Sequence, residues 1–152
     1  MGGRRIVWTF IALAVWCVPL QAHGDDLAEV KAIFDKDIRL FNAQDREAFT
    51  TAAHDEIVLF GILSPFAIKG RSELAQVVNN YFDDNTRIIF KPVNPTFTII
   101  GNSALAWGSY SITEYPKIGP RVTIHGRYTY TYAKMENKWQ LVAMHLSPLQ
   151  GY

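Results

Sequence analysis

The side chains whose types could do acid–base chemistry are few, and they lie far apart in this chain. Glu73 and Glu114 are carboxylates able to act as a general base toward a carbonyl-bearing molecule if the fold turns them into a pocket. His145, near the end of the last alternating segment, is a third candidate by residue type. His125 and Arg127 share a face with Thr129 and could hold an anion or form an edge pair. His54-Asp55-Glu56 is dense in metal-ligand types, but adjacent residues point in different directions on any regular element, so it reads as a solvated corner. No metal and no cofactor are expected. No complete catalytic constellation is legible, and the catalytic role stays open among Glu114, Glu73 and His145.

A second kind of chemistry is written in the last third of the chain. Tyr128, Tyr130 and Tyr132 alternate with Thr129, Thr131 and Ala133, so the three phenols share one face of a strand. Each ring offers apolar area and a hydroxyl that needs a partner. Such a stripe suits either a cavity wall or packing against a helix with the hydroxyls satisfied at a rim. Alternation groups His145 with Trp139, Leu141 and Ala143 on the other side, beside Arg127 and Thr129. That side is too apolar to leave bare, which assigns Arg127, Trp139, Leu141 and His145 to an oligomer interface.

The elements that must position these residues follow from periodicity. Between Asp25 and Asn42 the set Leu27, Val30, Phe34, Ile38 and Phe41 recurs at helical spacing. Asp45 can cap a short helix over Arg46–Ala53, and Glu56–Ile62 turns β-like. Ser64-Pro65 and Lys69-Gly70 punctuate a loop, after which Ser72 can cap a third helix bearing Leu74, Val77, Val78, Tyr81 and Phe82. The rest reads as strands, Arg87–Val93, Thr96–Ile100, Ala104–Tyr115, Arg121–Lys134 and Lys138–Leu146, the last two joined by the turn Glu136-Asn137. Helices followed by a meander of strands predict an α+β class, a cone-shaped curved antiparallel sheet wrapped around N-terminal helices.

Residues 1–24 carry Arg4 and Arg5, an apolar run from Ile6 to Leu20 and the small-residue end Gln21-Ala22-His23-Gly24, the layout of a signal peptide cleaved after Ala22 or Gly24. The apolar run is short for a bilayer span, so no stable membrane anchor is expected and the protein reads as exported, periplasmic or secreted. The single cysteine, Cys17, falls inside that segment, which leaves no disulfide in residues 25–152, read as one domain. With 15 basic and 14 acidic residues, scattered and summing to +1, the chain has no footprint for nucleic acid.

Asn94-Pro95-Thr-Phe-Thr-Ile-Ile-Gly101, Thr113-Glu-Tyr115 and Lys138-Trp-Gln-Leu-Val-Ala-Met-His145 followed by Ser147 resemble the nuclear transport factor 2-like superfamily, which includes ketosteroid isomerases and SnoaL-like polyketide cyclases. The nearest likeness is to the association domain of calcium/calmodulin-dependent protein kinase type II and its secreted bacterial relatives; no kinase or calmodulin-binding segment accompanies it. The resemblance implies that Trp107, Ser109, Ser111 and Thr113 face inward with Tyr128, Tyr130 and Tyr132, and that Glu73 and Tyr81 approach from the third helix. It places Ser111, Tyr130 and Leu146 where the association domains present arginines, and Gly61 where the isomerases carry their base. Neither an acidic-ligand pocket of that design nor that proton transfer carries over. The expected function is therefore an exported domain that binds a small, largely apolar molecule through Tyr81, Trp107, Ser109, Ser111, Tyr128, Tyr130 and Tyr132, and that self-assembles as a homodimer or larger. The alternative is an isomerase, cyclase or hydrolase of a carbonyl-bearing molecule.

Overall fold

In the computed structural model, residues 22–149 are described; the expected export segment, residues 1–24, lies outside the described residues through position 21. Helix α1 (Ala22–Asn42) buries a stripe at i, i+4 and i+7, Val30, Phe34 and Asp37, at 0%, 1% and 2% exposure. A carboxylate thus interrupts an otherwise apolar face. Asp45 caps α2 (Arg46–Ala52), its carboxylate accepting from the Ala48 amide at 3.1 Å, as the sequence predicts.

β1 (Ala53–Gly61) and β2 (Ser64–Lys69) form a hairpin at one edge of the sheet. β2 was expected as loop; Pro65 is tolerated there because an edge strand needs no donor on its outer side. Helix α3 (Gly70–Asp84) begins before Ser72, with Lys69 at the N-cap position and no capping side chain from that residue. Glu73 reaches back and accepts from the Lys69 amide at 2.8 Å. Arg71 donates to the Ala53 carbonyl at 2.6 Å and pairs with Asp55 at 2.8 Å, pinning the helix start to β1.

β3 (Asn85–Ile100) is one strand where two were expected: Asn94, at φ 51°, and Pro95 sit in an irregularity between Val93 and Thr96 and do not break it. β4 (Ser103–Pro116), β5 (Val122–Met135) and β6 (Lys138–Pro148) continue the meander. Glu136 and Asn137, at φ 50° and 60°, give the β5–β6 turn the double left-handed geometry that matches strand twist. The strand order is β2-β1-β6-β5-β4-β3, antiparallel throughout except that β1 lies parallel to β6. The sheet is therefore mixed, curved and open, and the helices pack on its inner face. At the far edge Asn42 closes the unpaired side of β3, its side-chain amide exchanging hydrogen bonds with the Phe90 carbonyl (3.0 Å) and amide (2.7 Å).

Pairing decides which side chains look inward, and it corrects two expectations. Cross-strand partners share a face, and Ala104, Ala106 and Gly108 oppose Tyr132, Tyr130 and Tyr128. The even residues of β4 are thus inner, and Trp107, Ser109, Ser111 and Thr113 face outward, with Trp107 at 47% exposure. Small residues lie opposite the phenols because the rings fill the space above them. An alanine at Gly126 would set its Cβ 2.4 Å from the Tyr110 ring that crosses it. Second, Trp139 and Leu141 are core residues, not interface residues. They pair with Lys134 and Tyr132, after which β6 spends an extra residue against Thr131 and its alternation inverts. Only beyond that bulge do Ala143 and His145 point outward, beside Thr131 and Thr129. The indole of Trp139 stays inside by donating to Asp26 at 3.1 Å, which Lys134 also engages.

Candidate functional site

Between the helices and the sheet lies an apolar cavity of about 40 Å³. Its walls come from α1 (Ile38, Phe41), α3 (Leu74, Val78, Tyr81), the end of β1 (Gly61), and the inner face of the sheet (Ile112, Tyr130, Met144, Leu146), with Ile62 and Leu63 at the β1–β2 turn. A single water needs roughly 10–15 Å³ of such space, so the cavity admits the slender end of a larger molecule and not the whole of one. Beside it, with Ile62, Leu63 and Tyr81 lining both, lies an open vestibule of about 390 Å³ to which Asn80, Asp84, Glu114 and Ile124 also contribute. The site is a narrow apolar throat behind a polar mouth.

Tyr81 stands at the junction. Its hydroxyl donates to the Glu114 carboxylate, and burial followed by that bond pushes the phenol well above its usual range. Of the expected site residues, Tyr81 and Tyr130 line the throat and Glu114 the mouth. Glu73 is exposed and occupied at the start of α3, so it does not approach the cavity. His145 is exposed on the outer face, with its ring 6.5 Å from Phe60. Trp107, Ser109 and Ser111 are separated from the throat by the sheet itself. Arg127 is exposed on the outer face, as alternation places it.

The three tyrosines of β5 divide. Tyr130 faces the throat, and its hydroxyl makes no side-chain hydrogen bond among the described residues. Tyr128 stacks on Phe34 at 5.7 Å, and its hydroxyl, like that of Tyr110, is buried with no protein partner. Tyr132 donates to Asp37 at 3.3 Å. Burial raises all of these phenols, Tyr128 to about 12.

Asp37 is the site feature that the sequence reading missed. One of its oxygens accepts from Tyr132 and the other has no partner. Burial pushes its carboxyl up to about 7, against the lowering effects of the Tyr132 bond and Lys36. The signal was present: Asp37 lies three residues after Phe34 and four before Phe41, in the buried stripe of α1. Among the described residues no group of three His, Cys, Asp or Glu side chains is arranged to hold a metal.

Several solved structures share the fold. A nuclear transport factor 2-like superfamily protein from Salmonella enterica superposes with a TM-score of 0.75 at 17% identity, over 86% of this chain and 95% of that one. A ketosteroid isomerase-like protein from Erwinia carotovora gives 0.71 at 22% identity, over 84% and 98%. A candidate calcium/calmodulin dependent protein kinase II association domain from Xanthomonas campestris gives 0.70 at 20% identity, over 94% and 98%. At these identities the likeness is one of fold. No curated protein matches the chain. The helices-then-meander order, the inner phenols and the throat over Gly61 all fall within residues 30–150, the stretch that matches the SnoaL-like domain model, and the chain belongs to that family.

Proposed function

We propose that this domain is a binder of a small amphiphile, whose apolar end enters the throat while its polar head remains in the vestibule. The observation that carries the reading is the composition of the throat: none of its lining residues bears a carboxylate, imidazole, amine or guanidinium. An acid or base that moves a proton must reach its substrate within hydrogen-bond distance, and the throat offers only phenols. Asp37 is turned to Tyr132, and Glu114 stands outside at the mouth. Gly61, at the end of β1, contributes room without chemistry; a Cβ there would meet nothing nearer than 3.4 Å. Titration with a straight-chain alcohol such as decanol tests this, comparing wild type with Val78→Phe, which fills the throat. Saturable binding lost in the variant supports the reading.

One observation favours a second reading, the enzyme: the Tyr81–Glu114 pair is a carboxylate held at the boundary between apolar and polar space. Relatives of this fold include a ketosteroid isomerase-like protein. Glu114→Gln and Tyr81→Phe, assayed on carbonyl-bearing molecules that wild type turns over, test it; a rate abolished by either change would make this domain an enzyme.

Two further expectations belong to the same reading. Residues 1–24 direct export, which the intact mass of protein recovered from its host compartment tests. A second copy packs on the outer face of the sheet. There Phe60, His145, Thr129, Trp107 and Thr96 form one transverse row across five strands without a carboxylate or an amine. A row that carries no carboxylate, amine or guanidinium can meet its own copy across a two-fold axis, and sedimentation of wild type against Trp107→Glu measures it.

A further inference from the structure

The apolar residues left uncovered are not scattered. Ile118 and Phe66, at 93% and 78%, are the most exposed large apolar side chains among the described residues. They belong to the β4–β5 and β1–β2 hairpins, and these same hairpins border the vestibule through Glu114 and Ile124 on one side and Ile62 and Leu63 on the other. Exposed Val122 and Leu149 lie at this end of the sheet as well, the Leu149 amide donating to the His125 carbonyl at 2.7 Å. The β4–β5 tip reads Lys117-Ile118-Gly119-Pro120-Arg121, an apolar point between two exposed cations, and the Lys117 amide ties it to the end of α3 through the Asp84 carbonyl at 2.9 Å. Of the acidic groups at this end, Glu114 accepts from Tyr81 and Asp83 is bridged by Arg46, while Asp84 stands exposed on the rim of the vestibule, behind the hairpin tip that carries the two cations.

An apolar point flanked by cations on a tethered hairpin matches the depth profile of an anionic lipid layer, where the side chain reaches the acyl boundary and the cations meet headgroups. We propose that the mouth end of this domain docks on anionic lipid membranes through Ile118 and Phe66, with Lys117 and Arg121 at the headgroups, so that the vestibule opens onto the layer. An amphiphile then passes between membrane and throat without crossing water. The docking surface goes beyond the binding reading; only this transfer step rests on it.

The test is co-sedimentation of the protein, in the form isolated from cells, with vesicles of equal parts phosphatidylcholine and phosphatidylglycerol, with no added ligand. Ile118→Asp and Phe66→Asp, both on exposed side chains that leave the core untouched, are each expected to lower partitioning roughly tenfold. Lys117→Glu with Arg121→Glu should weaken it on these vesicles and leave the weaker partitioning onto pure phosphatidylcholine unchanged. Wild type that stays in the supernatant, or partitioning equal in wild type and Ile118→Asp, overturns the proposal. So does self-association without vesicles that Ile118→Asp abolishes, since a second copy would then be what covers the tip. Val78→Phe should dock as wild type does. If decanol binding fails and docking persists, it is the binding reading that falls.

Discussion

The inner and outer faces of the sheet are built from the same strands, yet they solve different problems. Inside, Phe34 of α1 touches Phe97, Tyr128 and Tyr130 at centroid distances of 5.4–5.7 Å, and the rings close over Ala104, Ala106 and Gly108 of β4. Outside, threonines, Trp107 and His145 lie in rows that nothing among the described residues covers. Large-over-small pairing makes the inner face intolerant of added volume or charge, whereas the outer face has nothing to collide with. The same substitution should therefore have opposite consequences on the two sides.

The sharpest form of that contrast is a pair of charges. Leu141→Glu places a carboxylate in the core beside Tyr132 and should cost on the order of 5 kcal/mol, enough to unfold a marginal domain. Trp107→Glu should leave the unfolding temperature nearly unchanged and alter only sedimentation. A folded Leu141→Glu variant that merely dissociates would return that residue to the outside and break the comparison.

Asp37 tests the inner face through pH. Its folded-state value of about 7 stands above its unfolded value of 3.8, so the native state binds the proton more tightly. Stability should be greatest below the unfolded value, fall as pH rises from about 4 to 7, and level off above; the span is at most about 4 kcal/mol. Asp37→Asn keeps the acceptor for Tyr132 and removes the titration, so urea unfolding from pH 4.5 to 8 should show a flatter profile than wild type. Parallel profiles would mean that Asp37 is not desolvated.

Much of the fold was legible because its signals are local. The stripe of α1, the Asp45 cap, the Glu136-Asn137 turn and the tyrosine alternation each depend on residues close in sequence. What failed were readings that needed pairing information. Facing on β4 depends on its register with β5, and the facing that the resemblance implies is the opposite of the one this register produces. Facing on β6 depends on a bulge at Val142 that no residue type announces. Asp37 escaped because a carboxylate in an apolar stripe reads as a flaw in the pattern, although burial among phenols is what sets it apart.

Smaller effects sharpen the same picture. Tyr130→Ala should cost about 3 kcal/mol of stability, since its ring packs on Phe34 and Tyr128, and should also enlarge the throat. Ligands with a bulkier apolar end should then bind better than they do to wild type, which a chain-branching series of alcohols would measure. Asn137→Ala, at φ 60° in the exposed turn, should cost about 1 kcal/mol by thermal unfolding and leave binding untouched.

The claim on which the rest depends is that the throat receives the apolar end of a ligand. Calorimetric titration of wild type and Val78→Phe with decanol, each first checked for cooperative thermal unfolding, addresses it most directly. The account predicts saturable binding of one molecule per chain to wild type and none to a folded Val78→Phe. Equal binding by both, or no binding by wild type, would contradict it.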